Sequence, residues 1–131
     1  MECVLTAIQR KHITSYAYIR PPILKNHHIA IVYSCKTDAI LASGTNAVEP
    51  KKNCAVHAEV AAMTQFRKRV RDGVIKPSQV SKGIGVLSIR VAKAGHLLNA
   101  KPCTSCSKVI DACPFVKRVE WSIDNGEIVM S

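Results

Sequence analysis

The chain has 131 residues, 47% of them apolar and 21% charged, a size and balance expected of one folded domain spanning 1–131 rather than of a disordered tract. Nineteen Lys and Arg against nine Asp and Glu give a formal charge of +10, which favours a polyanionic or phosphate-bearing partner. No apolar run approaches the roughly 20 residues that cross a bilayer, and the opening MECVLTAIQRKHITS lacks the apolar core and cleavage site of a secretory signal. The expectation is therefore a cytoplasmic protein (nuclear in a eukaryote), not secreted and without a membrane partner, whose six cysteines serve as thiols or ligands rather than as a disulfide framework.

In chain order, residues 2–12 read as a short helix with Val4, Leu5 and Ile8 on one side. The RPP at 20–22 cannot continue a helix. The β-branched run HHIAIVYSC, 27–35, predicts a strand, with His27 and His28 expected at its solvated start. AILASG, 39–44, is its partner across the KTD turn, and TNAVEPKKN, 45–53, reads as a loop. From 54 to 71 the spacing turns helical, with Val56, Val60, Met63 and Val70 recurring at threes and fours; DG and then KPS close this helix. A third strand follows over 83–92, then a loop over 93–102, a second long helix over 103–113 that ends before Pro114, and a fourth strand over 116–122. Asn125-Gly126 between extended apolar stretches predicts a hairpin, because both turn residues must tolerate positive φ. The order implies a mixed five-stranded sheet whose last two strands are antiparallel, with helices on its faces.

The chemistry lies at two predicted helix starts. Cys103 and Cys106 stand three apart in a first helical turn, so both thiols can reach one ion. His57 and Glu59, in NCAVHAEVAAM, open the other long helix. One imidazole and two thiolates are a set that zinc uses when it keeps a position open for water. Helix N-termini favour negative charge and lower a thiol's pKa. Glu59, two residues from His57, is an awkward fourth ligand but well placed to take a proton from a water and give it to a leaving amine. A closed structural site of Cys54, His57, Cys103 and Cys106 remains an alternative. A redox dithiol would leave the HAE segment without a role.

HAE at 57–59 followed by PCTSC at 102–106 resembles the zinc-dependent cytidine deaminase superfamily. The resemblance implies a three-layer α-β-α fold, zinc on His57, Cys103 and Cys106, and Glu59 as the proton carrier. It also implies that Asn46 bonds the sugar, the Ala58 amide the base carbonyl, and the Lys101 carbonyl the departing amine. Relatives often carry Ser or Thr just before the Pro-Cys, where this chain has Ala100 and Lys101. The predicted terminal hairpin is similar to the branch of free-cytidine and bacterial toxin deaminases, whereas a histidine ligand is not usual in free-cytidine deaminases. The expected reaction converts cytosine to uracil in a nucleoside, nucleotide or single-stranded nucleic acid, with release of ammonia. Adenine-to-hypoxanthine deamination, and a non-catalytic zinc-stabilised module that binds nucleic acid, stay open as alternatives. Arg67, Lys68, Arg69 and Arg71 crowd the far end of the first long helix, roughly 15 Å from the metal end at 1.5 Å per residue. They suit a polymer's phosphates, or simply a solvated helix end. His96, in the approach to Cys103, is a weaker candidate for substrate contact, and Cys3, Cys35 and Cys113 read as ordinary thiols. Small superfamily members often assemble so that a neighbour completes the pocket, so the resemblance also accommodates a homo-oligomer.

Overall fold

The structure, a computed structural model, describes residues 27–45, 47–49, 54–91, 97–123 and 128–130. The helix expected over 2–12, the RPP break, Cys3, Asn46, His96 and the Asn125-Gly126 turn lie outside these residues. The β-branched run forms β1 (His27–Ser34), which pairs antiparallel with β2 (Ile40–Thr45), as the sequence pattern predicts. The next two elements depart from expectation. Ala47–Glu49 forms β3 inside the predicted loop, and Cys54–Val56 forms β4 inside the predicted helix. These two segments hydrogen-bond antiparallel to each other, so their backbone groups are satisfied across the loop and the helix cannot begin until they end. It begins at α1 (Ala58–Arg71), with His57 as an extended N-cap at φ −78° and ψ 141°.

A 3-10 turn, Pro77–Val80, leads into β5 (Ile84–Val91), which lies antiparallel to β1 along its whole length. The two-residue β6 (Leu97–Leu98) pairs with the end of β5. α2 (Thr104–Asp111) and β7 (Val116–Ser122) follow, then β8 (Ile128–Met130). β7 is parallel to β5, and β8 is antiparallel to β7 as the Asn-Gly signal predicts. The sheet order is β2-β1-β5-β7-β8.

Alternation along the strands sends Ala30, Val32 and Val86 to one face, where they pack with Ala62, Met63 and Phe66 of α1 and Ile110 of α2. Ile29, Ile31, Tyr33, Leu87 and Ile89 occupy the other face and are equally buried. A sheet covered on both faces is what a three-layer arrangement requires. α1 seats unusually close to β2: a Cβ on Gly44 would lie 2.5 Å from the Ala62 nitrogen and 2.6 Å from the Ala58 oxygen. Among the described residues no helix is long and apolar enough to cross a membrane.

Candidate active site

Two helix starts meet at one end of the molecule. His57 caps α1 and Cys103 caps α2, each with an extended backbone whose carbonyl accepts the first helical bond, from Ala61 and Ser107 respectively. The His57 side chain makes no capping bond to its helix, and its imidazole and the Cys103 thiol face a common point. His57 Nδ1 lies 3.1 Å from Cys106 Sγ and 3.4 Å from Cys103 Sγ. The three ligand atoms fall within 4.8 Å of one another, close enough to hold one metal ion. Cys106 is fully buried while Cys103 is exposed. The Cys103 thiol is lowered by the Cys106 backbone amide and by the Cys106 side chain. Burial, then the bond with Cys103, pushes Cys106 up to about 12. A nitrogen beside two sulfurs is a donor set that suits zinc. The side chain of Cys54, fourth member of the closed alternative, is outside the described residues.

Glu59 sits in the first turn of α1, 1% exposed. Burial raises its carboxyl, opposed by its own backbone amide, by His57 and by Arg90. Its Oε1 is buried with no hydrogen-bond partner among the described residues. Leaving a carboxylate oxygen unsatisfied in the interior is costly, and such an orphan beside three metal-type donors fits a site built to receive a ligand and its water. His28 Nε2 lies 3.5 Å from this oxygen. Here the sequence reading is corrected. His28 is not a solvated residue: its side chain is 12% exposed, and its Nε2 lies 2.6 Å from Ser88 Oγ. Strand parity places His28 on the face of Ala30 and Val32, beneath α1.

No family model and no curated protein matches the sequence. Solved structures do match. A crystal structure of a cytidine deaminase from Burkholderia pseudomallei aligns with a TM-score of 0.60 at 14% identity, covering 97% of this chain and 92% of that one. The chain has the cytidine deaminase fold. At that identity the fold persists almost end to end while most side chains differ, so the site must be read from this chain's own residues.

Within the deaminase fold, the Ala100-Lys101 approach to Cys103 is held by its backbone. The Ala100 amide donates to the Ser122 carbonyl at 2.9 Å, and Ser88 Oγ donates to the Ala100 carbonyl at 2.9 Å. The Lys101 amide donates to Asn99 Oδ1 at 2.9 Å, and its ammonium lies 5.9 Å from the centre of the Trp121 ring. Ala58 is fully buried at the first position of α1, where an amide has no partner within its own helix. The four cations at the other end of α1 divide. Arg69 Nη1 donates to the Leu41 carbonyl at 2.7 Å and pins the helix end to β2. Arg67 reaches the Val109 carbonyl of α2 at 3.3 Å, and Arg71 contacts Asp72. Lys68 is exposed.

Proposed function

We propose that this chain, read as a single domain, is a zinc-dependent hydrolytic deaminase that replaces the exocyclic amine of a nucleobase with oxygen and releases ammonia. The observation that supports this reading most is the orphaned, buried Oε1 of Glu59 beside a three-donor cluster at two helix starts. A purely structural metal site has no use for a buried, unsatisfied carboxylate next to it, whereas a proton carrier needs a free oxygen.

His57, Cys103 and Cys106 would hold the ion, with both cysteines as thiolates and the imidazole neutral. Zinc, when bound, supplies a Lewis acid that makes water acidic near neutral pH. Glu59 takes a proton from the attacking water and delivers it to the amine nitrogen, so a C–O bond forms, the C–N bond breaks and ammonia leaves. The Ala58 amide is offered to the base carbonyl, the Lys101 carbonyl to the departing amine, and Asn46 to a sugar hydroxyl. Cytosine is the preferred base in this reading, with adenine second. The charge of +10 favours a phosphorylated or single-stranded polymeric substrate over a bare nucleoside.

The test is ammonia release from a panel of cytidine, deoxycytidine, their monophosphates, single-stranded DNA and RNA, and the adenine counterparts. Glu59→Ala should retain about one zinc per chain and lose about 10²–10⁴-fold in kcat, the usual worth of a positioned acid–base group. Full activity in that variant would sink the mechanism. A four-ligand metal spectrum with no ammonia from any substrate would favour the non-catalytic zinc module instead.

A further inference from the structure

The sheet face that carries α1 is apolar through Ala30, Val32, Ile84 and Val86 and turns polar at one end. There β1 contributes His28 and β5 contributes Ser88 and Arg90, with His28 directly opposite Arg90 in the register. All three share the parity of the apolar residues, so they lie beneath the start of α1, where Glu59 projects inward. Ser88 is fully buried.

The protons in this cluster can be assigned. Ser88 has one hydroxyl proton and two neighbours, the Ala100 carbonyl at 2.9 Å and His28 Nε2 at 2.6 Å. A carbonyl oxygen can only accept, so the serine proton goes to Ala100. The short contact with His28 is then satisfied only if Nε2 carries a proton and donates to Ser88 Oγ. That same Nε2 is the polar atom 3.5 Å from the orphaned Glu59 Oε1. The distance exceeds a hydrogen bond, and the one Nε2 proton is already directed at Ser88 Oγ, so a carboxylate moving closer takes only a share of it in a three-centre bond.

We propose that His28 is a positioning residue for Glu59, oriented by Ser88. The imidazole's single Nε2–H, fixed by Ser88 Oγ, also faces the carboxylate as the long arm of a three-centre contact and limits how the buried side chain can turn. The same serine holds the Ala100 carbonyl, two peptide units before Pro102. His28 and Ser88 therefore tie the proton carrier on α1 to the loop that delivers Cys103, two parts of the site that are 44 residues apart in sequence. Their relative placement is then set by a sheet residue rather than by either helix alone. This inference rests on the deaminase reading of the site.

Three variants and one spectrum test it. His28→Leu should keep about one zinc per chain and lose on the order of 10–100-fold in kcat, with KM changed less than about threefold, the size expected when a reacting group is misplaced by about 1 Å. His28→Gln, whose amide nitrogen can reach the same place, should recover most of that loss. Ser88→Ala should fall between the two. His28→Leu with kcat within about twofold of wild type overturns the proposal, as does a failure of Gln to outperform Leu. Nitrogen NMR of histidine-labelled, zinc-loaded protein supplies a readout independent of turnover: His28 should show a proton on Nε2, and its signals should move in Glu59→Gln. A bare Nε2, or signals indifferent to Glu59, refutes the contact even in an inactive protein. A wild type that deaminates nothing on the panel, with the His28 signals as expected, refutes the deaminase reading and leaves the contact established.

Discussion

Gly44→Ala should damage the metal site from a position that touches none of its ligands. The added Cβ would lie 2.5 Å from the Ala62 nitrogen, 2.6 Å from the Ala58 oxygen and 2.8 Å from the Ala61 Cβ, where ordinary contact begins at 3.4 Å. The two nearest atoms are backbone of the first two turns of α1, so no rotamer change relieves them. The helix must retreat from β2 by about 1 Å, an overpacking that costs roughly 1–3 kcal/mol and lowers Tm by about 3–12 °C for a chain of this size. Because His57 and Glu59 ride on that end of α1 while Cys103 and Cys106 ride on α2, the retreat disturbs the 3.1 and 3.4 Å contacts between His57 and the thiols. Zinc affinity, measured by competition with a chelator of known strength, should fall about 10–100-fold, in the range of changes that disturb ligand orientation. Adding Ala61→Gly removes only the third contact and should not restore affinity. A Gly44→Ala protein with wild-type Tm and wild-type zinc affinity would refute the close-packing argument. Rescue by Ala61→Gly would show that the side chain, not the helix backbone, sets the limit.

Further outcomes follow from the far side of the sheet and the far end of α1. Tyr33 donates to Glu120 in a buried pair, and burial followed by that bond raises its hydroxyl well above the ordinary value of 10.0. A raised folded pKa means the folded state holds the proton more tightly. The contribution is therefore complete below pH 10 and is lost as the pH rises beyond it. Tyr33→Phe should lower Tm at pH 7 by the equivalent of about 1–3 kcal/mol, and should flatten the decline in Tm between pH 10 and 11; an unchanged decline assigns it to other groups. At the end of α1, Arg69→Met should cost about 1–3 kcal/mol through the lost bond to the Leu41 carbonyl. Lys68→Ala with Arg71→Ala should leave the stability within about 0.5 kcal/mol of wild type. If the substrate is a single strand, the double variant should reduce the slope of log K against log salt by about 1.4, roughly 0.7 per phosphate contact; an unchanged slope removes this helix end from the binding surface.

How much was legible depended on whether the signal was local. β1 and β5 announce themselves because runs of β-branched residues fit a covered sheet and little else. The donor cluster was legible because HAE and PCTSC mark two helix starts, and helix starts point backbone amides and capping side chains to one place. The β3–β4 ladder was not: Val56 keeps helical spacing with Val60 and Met63, and only non-local pairing with Ala47–Glu49 overrides it. His28 was hidden for a related reason. Its parity with Ala30 and Val32 was visible in the sequence, but which face α1 covers was not. Arg69 likewise reads as one more cation at a helix end until its carbonyl partner on β2 is known.

The loop before Cys103 is held in place by groups outside it. A Ser or Thr side chain near the Pro-Cys could hold such a loop locally, but Ala100 has no group to do so. Here the hydroxyls come from the sheet. Ser88 on β5 takes the Ala100 carbonyl, and Ser122 on β7 receives the Ala100 amide at its own carbonyl while its Oγ donates to Leu98 at 2.6 Å. Both serines are fully buried, where an unmet polar group costs about 1–3 kcal/mol, so each enforces the loop's position from below. The Ala100 side chain is then free to be small and buried, and Lys101 is free to turn outward over Trp121. Ser88 also lies within reach of His28, so the residue that anchors Ala100 is the one that orients the neighbour of Glu59.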